Sequence, residues 1–577
     1  MEGIVLSNLD KLVKNPEVMS YEPSDDLWNA MSYEVCDIKG TCILTAESTT
    51  PPDITFVPGL TGWYKIFVAS WRLDGGFAVH LKLDTDPVFT IINDSAIPAG
   101  GQWQKMEWVE EHFWCCADLT DREIIMRKNE TLKRLTPLVW LRCVPMTEDE
   151  VAEWLDYASA EGRRNLHVHF DTDHNVVYGS KRIEDTLMKL YSVKNTDTKI
   201  CTQEVLDHLY AYQEDVPNPR VRHLMAGKKR YEDACRAVAA NLHEITKARL
   251  DLMHGMGVKL YAGLRMSMAS FVTPWGPLLQ KTFVNEHPEF YCKTRDGRTT
   301  AICSYAYPEV RRYVIDFLKF VVSLGYDGVS LIAHRGIHIA FEQPVLDEFA
   351  RRYDGLDARR VPMDDPRLKE VWCGFLTEFV RDLHTELDAE MGRHVPINVI
   401  TDFDPDTAMR IGIDVETLAK EGLIDHICGD NMEVFEDLGT CLGEDGLFNM
   451  EKYEASSRTR YMVRRVLGGD AERIKKGYPK YLEIAEKYGV EFFGGMTSSI
   501  RNNPQKMIEW WDFLRELGVE NFSVFNFCHS SQDRPVSNAI TKTGHDKVNM
   551  EYCTPKYYRV LSIDGYDIST YPPNWVG

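Results

Sequence analysis

Eight short apolar runs recur between residues 165 and 527, most of them separated by amphipathic stretches that end in glycine. The runs are NLHVHF (165–170), VLDHLYAY (205–212), VKLYAGLRM (258–266), DGVSLIAH (327–334), PINVIT (396–401), DHICGD (425–430), EFFGGM (491–496) and NFSVFNF (521–527). Near-continuous apolar runs of this length suit strands buried on both faces, as in a parallel sheet. Between them NLHEITKARLDLMHGMG, PEVRRYVIDFLKFVVSLG and KMIEWWDFLRELG carry helical spacing and a terminal glycine, the residue that tolerates the left-handed turn after a helix. Eight strand-helix repeats predict an α/β chain folded as a (β/α)8 TIM barrel, with long loops after some strands.

Residues 30–145 have a different texture. TCILTAE, GWYKIFVAS, GGFAVHLKL, PVFTIIN, REIIMRK and LVWLRCV alternate apolar and polar positions and are parted by Pro, Gly, Asp and Asn. This period of two predicts an antiparallel β-sandwich over residues 1–148, ahead of a barrel and C-terminal tail over 149–577. The acidic helix start TEDEVAEWLDYASAEG marks the switch. Such a sandwich serves as an accessory module or binds carbohydrate, and Trp63, Trp71 and Trp103 suit either an interior or a sugar-stacking role.

Charge narrows the partners. With 66 Lys and Arg against 88 Asp and Glu, the net charge of −22 repels phosphate backbones and anionic lipid, so no nucleic acid and no membrane partner is expected. The N-terminal MEGIVLSNLDKLVKN lacks the pattern of a secretory leader, and no apolar run reaches membrane-spanning length. The chain therefore reads as soluble and cytoplasmic. Its 14 cysteines include no CxxC and fall largely inside apolar runs, as buried reduced thiols do.

In a barrel of this kind the chemistry collects where the strands end. Those positions hold Asp171, Asp173 and His174 after strand 1, Arg265 after strand 3, and His334 and Arg335 after strand 4, with Glu342 farther on. Strand 5 delivers Asp402 and Asp404, strand 6 Asp430, Asn431 and Glu433, and strand 8 Asn526 and His529.

The run HPEFYCKTRDGRTTAICSYAYPEVRRYVIDFLKFVVSLGYDGVSL, with GVKLYAGLRM before it and GIDVETLAKEGLIDHI after it, resembles the glycoside hydrolase-like family ten proteins, relatives of the amylase-like hydrolases. The likeness covers about residues 160–530 and implies a glycoside or oligosaccharide substrate. One position departs from it. Amylase-like barrels carry a nucleophilic aspartate late in strand 4, where this chain has Ile332 after Asp327-Gly328. Asp327 itself begins the strand, at the wrong end of the barrel.

Glycoside cleavage needs one group to protonate the leaving oxygen and another to activate water or attack carbon. Asp171 and His334 are the first candidates for acid and base in an inverting reaction, a pairing similar in its chemistry to that of inverting barrel sialidases; Asp430 with Glu433 is the carboxylate alternative. Asp173, Arg265, Trp275, Arg335, Asp402, Asn431 and Asn526 are expected to bind substrate. The two arginines suit a bidentate contact to a sialic or uronic acid, or pair internally. Tyr305 and Tyr307, with Trp275, offer a platform for a sugar ring or simply pack their loops.

Two other classes stay open. HVHFDTDH puts His167, His169, Asp171 and Asp173 on one strand face, which resembles the first metal ligands of an amidohydrolase, although the histidines expected late in strands 5 and 6 are absent. A non-catalytic carbohydrate-binding barrel is the other. The glycosidase reading calls for no cofactor and no metal, and it leaves room for a homo-oligomer.

Overall fold

The computed structural model describes residues 3–45, 50–71, 78–93, 108–128, 136–158, 165–170, 187–188, 190–194, 196–205, 208–212, 236–267, 282–333, 338–430, 469–495, 504–525, 527 and 550–567. Eight parallel strands close into a barrel: strand 1 Leu166–Phe170, strand 2 Thr198–Glu204, strand 3 Lys259–Arg265, strand 4 Gly328–Ile332, strand 5 Ile397–Asp402, strand 6 His426–Asp430, strand 7 Glu491–Gly495 and strand 8 Asn521–Val524. Two largely antiparallel sheets, built mainly from residues ahead of it, share one core, to which the larger contributes Trp28, Ile43, Ile66, Val68 and Leu141 and the smaller Ile54, Phe56, Leu81 and Ile124. The architecture is thus a β-sandwich followed by a (β/α)8 barrel, as the periodicity predicts.

Strand 2 differs from the expectation at 205–212. The strand is the preceding segment TKICTQE, and Leu209–Tyr212 is a helical turn. Tyr212, at the end of that turn, packs against Tyr313, Phe317 and Phe320, all on the helix Pro308–Ser323. That helix has proline in its first turn, Glu309 beside the N-terminal dipole, and a buried stripe of Val310, Val314, Phe317, Leu318 and Val321 against the barrel.

The C-terminal tail returns to the other end of the chain. Lys556–Ile563 pairs antiparallel with Trp108–Asp118 on one side and with Trp28–Val35 on the other, inside the larger N-terminal sheet. Trp63 and Trp71 are half-buried there and pack against apolar clusters, while Trp103 lies outside the described residues. The sandwich seats on the barrel through Asp86, which accepts hydrogen bonds from Tyr191 Oη at 2.9 Å and Lys194 Nζ at 2.6 Å.

Inside the barrel, strand alternation sorts the side chains. Leu166, Val168, Leu260, Leu264, Val329 and Leu331 face the helices, whereas Ile200, Tyr261, Ile332, Ile400, Cys428, Phe493 and Phe525 meet in the interior. Across that interior runs a closed polar belt. His167 Nε2 lies 2.8 Å from Thr202 Oγ1, which lies 2.6 Å from Ser330 Oγ; Asn398 Nδ2 donates to Ser330 Oγ at 3.1 Å. The Cys428 thiol donates to Asn398 Oδ1 at 3.4 Å and stands 3.4 Å from His167 Nδ1, which is 3.1 Å from Ser523 Oγ.

Thr202 and Ser330 sit on strands 2 and 4 and meet across strand 3, because strand 3 carries Gly263 at that level. A Cβ there would stand 2.7 Å from Thr202 Cγ2. Gly263→Ala is therefore expected to destabilise the protein by about 1–3 kcal/mol, as overpacking does, read as a lower urea midpoint with an unchanged slope.

Burial keeps three histidines neutral: His167 well below its ordinary value, His80 down to about 3 and His338 down to about 4. Their unfolded counterparts take up protons from about pH 6.5 downward, so the stability these sites hold at neutrality is lost as the pH falls. Each should withdraw up to about 1.4 kcal/mol per pH unit, and the urea midpoint should drop steadily between about pH 6.5 and 5. A flat midpoint across that interval would contradict the buried neutral imidazoles.

Candidate functional site

The inward residues one pleat above the belt form the mouth of the barrel at the strand C-termini. They are His169 above His167, Glu204 above Thr202, Ile332 above Ser330, Ile400 above Asn398, Asp430 above Cys428 and Phe525 above Ser523. Arg265 ends strand 3 in register with Ile332, and Asp402 ends strand 5 in register with Asp430.

Charge is concentrated on two sides of this mouth. Glu204 is fully buried, and its Oε1 accepts a hydrogen bond from Arg265 Nε at 2.7 Å while standing 3.0 Å from His169 Nε2. The His169 ring lies flat on Phe525, with centroids 4.1 Å apart and planes within 4°. An imidazole, a carboxylate and a guanidinium thus share one buried corner formed by strands 1, 2 and 3.

On the other side, both oxygens of Asp402 accept from Arg473 Nη2, at 2.7 and 2.6 Å, and Oδ1 also accepts from the Asp404 amide. Burial pushes the Asp402 carboxyl up from its ordinary value, and the attraction of Arg473 offsets this only in part. Asp404 caps the short helix Pro405–Ala408 by accepting from the Asp406 amide. Burial draws its pKa upward, but the ammonium groups of Lys476 and Lys480 and that amide bond hold it below the ordinary value. Asp430 is buried beside Gly495, whose missing side chain leaves room for the carboxylate.

Of the residues expected at the site, Arg265, Asp402 and Asp430 end strands at this same face. Asp171, Asp173, His174, Trp275, His334, Arg335, Asn431, Glu433, Asn526 and His529 lie outside the described residues. Tyr305 is wholly buried, donates to the Met266 carbonyl and packs on Phe379, so it builds core and offers no sugar platform. Tyr307 precedes the helix Pro308–Ser323 and packs on Phe290. Glu342 is buried at the head of the helix Gln343–Arg352, accepting from Ser304 Oγ and the Ala340 amide, a structural position.

The HxH of strand 1 does face one side, as alternation requires, but His167 has both ring nitrogens against hydroxyls of the belt and His169 is turned to Glu204 and Phe525. It does not present the paired nitrogens of an amidohydrolase metal site. Two participants escape the sequence reading. Glu204 lies just ahead of the aromatic run at 205–212 that reads as strand 2, although TKICTQE carries the signal in its alternation, with an acid as its last inward residue. Arg473 stands 71 positions after Asp402, and nothing local links them.

No protein-family model matches the chain, and no curated protein does. The family-ten likeness of the motifs thus stands without a matching family model. Solved structures similar to the chain include several glycoside hydrolases. They include the glycoside hydrolase domain of PelA from Pseudomonas aeruginosa, 10% identical over 64% of this chain and 95% of that one, with a TM-score of 0.29. The catalytic domain of a beta-amylase from Paenibacillus polymyxa is 10% identical over 63% of this chain and 92% of that one, with a TM-score of 0.34. A Podospora anserina GH26-CBM35 beta-(1,4)-mannanase is 9% identical over 96% of this chain and 97% of that one, with a TM-score of 0.29. At such identities and scores they bear on neither substrate nor mechanism.

Glu204→Gln keeps the shape of the buried corner but removes its negative charge beside Arg265. Breaking a buried pair in this way should cost about 3 kcal/mol or more, measured by urea unfolding. Glu204→Gln unfolding at the wild-type midpoint would show that the pair is not energetically coupled.

Proposed function

We propose that the protein is a glycoside hydrolase acting on an oligosaccharide at the C-terminal mouth of the barrel, by direct attack of water. The observation that carries this reading is the contrast within one layer. Ile332, fully buried among apolar interior side chains, ends strand 4 where a retaining amylase-like enzyme would hold its nucleophile, while carboxylates end strands 2, 5 and 6. Acids remain at the mouth, but the residue that would form a covalent glycosyl intermediate is apolar.

In this reading Asp171 and His334 act as general acid and base. Asp430 with Glu433 is the carboxylate alternative, and Asp430 ends strand 6 in register with Asp402. Asp173, Trp275, Asn431 and Asn526 hold the sugar. Arg265 already donates to Glu204, so recognition of an acidic substituent, a sialic or uronic acid, falls chiefly to Arg335. Inversion requires space for a water between the paired groups, on the order of 6.5–9.5 Å for carboxylates.

The test is hydrolysis of aryl glycosides, uronides and sialosides among them, with NMR of the first-formed anomer. Inversion is expected, and Asp171→Asn and His334→Ala should each lower kcat by about a hundredfold or more. Retention of configuration would overturn the water-attack mechanism. Normal turnover in both variants, with loss in Asp430→Asn, would move the chemistry to strand 6. Saturable binding of oligosaccharide without turnover of any glycoside would make the barrel a binding module instead.

A further inference from the structure

The opposite, N-terminal face of the barrel carries a second cluster of chemistry-bearing side chains, independent of the mouth. The helix Pro366–Met391 ends at Gly392, in the left-handed conformation with φ 61°, and the chain turns directly into strand 5. His384 and Asp388, one helical turn apart, meet His394 from that connection, and one donor atom from each lies within 4.8 Å of the others. Asp388 Oδ2 stands 3.2 Å from His394 Nδ1 and 3.8 Å from His384 Nε2. Ligand atoms around a tetrahedral ion with bonds of about 2.0–2.2 Å are separated by roughly 3.3–3.6 Å, so this spacing brackets the one a metal would impose.

The surroundings orient each donor. Asp388 Oδ1 accepts from the Val395 amide at 2.8 Å, which aims the other oxygen at the two imidazoles. His394 Nε2 lies 2.8 Å from Asp425 Oδ1, and Asp425 Oδ2 accepts from the Ile397 amide at 2.9 Å. Nδ1 itself faces Asp388 Oδ2 at 3.2 Å as a donor, through a proton that an incoming ion would displace; the carboxylate on Nε2 would then hold the ring's other proton, the arrangement that typically supports a metal-bound histidine. All three side chains are partly exposed, so an ion can enter from solvent.

We infer that His384, Asp388 and His394 bind a divalent cation of the zinc type, with water completing the coordination. Two imidazoles and one carboxylate favour zinc, cobalt or nickel over magnesium or calcium, which seek oxygen. The ion would tie the end of a long outer helix to the start of strand 5, far from the mouth, and so act on stability rather than on turnover.

The experiment uses the full chain stripped with a chelator and titrated with zinc chloride, then with cobalt chloride to read the visible absorption of the bound ion. About one equivalent should bind saturably, and at hundredfold excess over Kd the melting temperature should rise by about 2 °C or more. His384 approaches Asp388 through Nε2 at 3.8 Å, and its ring lies 5.7 Å from that of His394, both contacts within the cluster itself, so His384→Ala should fold normally, and its zinc affinity should fall at least tenfold. His384→Gln provides the same comparison with the side-chain volume retained. Absence of saturable zinc binding to the wild-type chain would overturn the inference. So would unchanged affinity and stoichiometry in both variants, because the ion would then occupy other ligands among the 17 histidines.

Discussion

The polar belt inside the barrel is satisfied only when six strands hold their register together. Its members are buried, so a slip of one residue on any strand would turn a hydrogen-bonding group outward among the helices and leave its neighbours unpaired. An unmet buried polar group costs about 1–3 kcal/mol, and such a slip would strand two or more. The mouth depends on this constraint directly. His169, Glu204, Ile332, Asp430 and Phe525 each sit two residues beyond a belt member, so their heights and directions are fixed by bonds made one layer below them. Gly263 is the concession that lets the belt close, since strand 3 contributes no side chain where strands 2 and 4 must touch.

Above the belt the barrel buries charge, which hydrophobic packing alone would avoid. Glu204 and Arg265 are buried together, and Asp402 is buried against the partly exposed Arg473. Apolar residues of similar volume would often serve stability as well or better, so ionic pairs of this kind gather where a protein has chemistry or recognition to perform. The chain's large negative charge makes the placement of its cations informative. Lys476 and Lys480 join Arg473 on one helix, facing Asp402 and Asp404, so the acidic side of the mouth is countered locally and not by the surface as a whole.

The barrel is largely legible in the sequence because strands buried on both faces must be apolar nearly throughout, and glycine must follow many of the helices between them. Strand 2 breaks that rule. Its inward positions Thr202 and Glu204 serve the belt and the mouth, so it reads as polar, while the aromatic VLDHLYAY beside it imitates a strand although Tyr212 packs on a neighbouring helix. The same substitution of function for hydrophobicity hides Glu204. Arg265, Asp402 and Asp430 can be reached from sequence because each directly ends an apolar run. Arg473 cannot be, since its partner is defined by the closure of the barrel and not by spacing. The sandwich strands Trp28–Val35 and Trp108–Asp118 share a partner that arrives more than 400 residues later, beyond the reach of any local pattern.

That shared partner makes the sandwich depend on a strand from beyond the barrel. Without Lys556–Ile563, Trp108–Asp118 and Trp28–Val35 would each present open backbone groups, and the two parts of the larger sheet would be held by the Ile43–Leu138 bridge, the Thr41 amide on the Ser7 carbonyl and their common core. A chain cut after the barrel would keep all eight barrel strands yet carry two exposed sheet edges, each a template for pairing with a second copy.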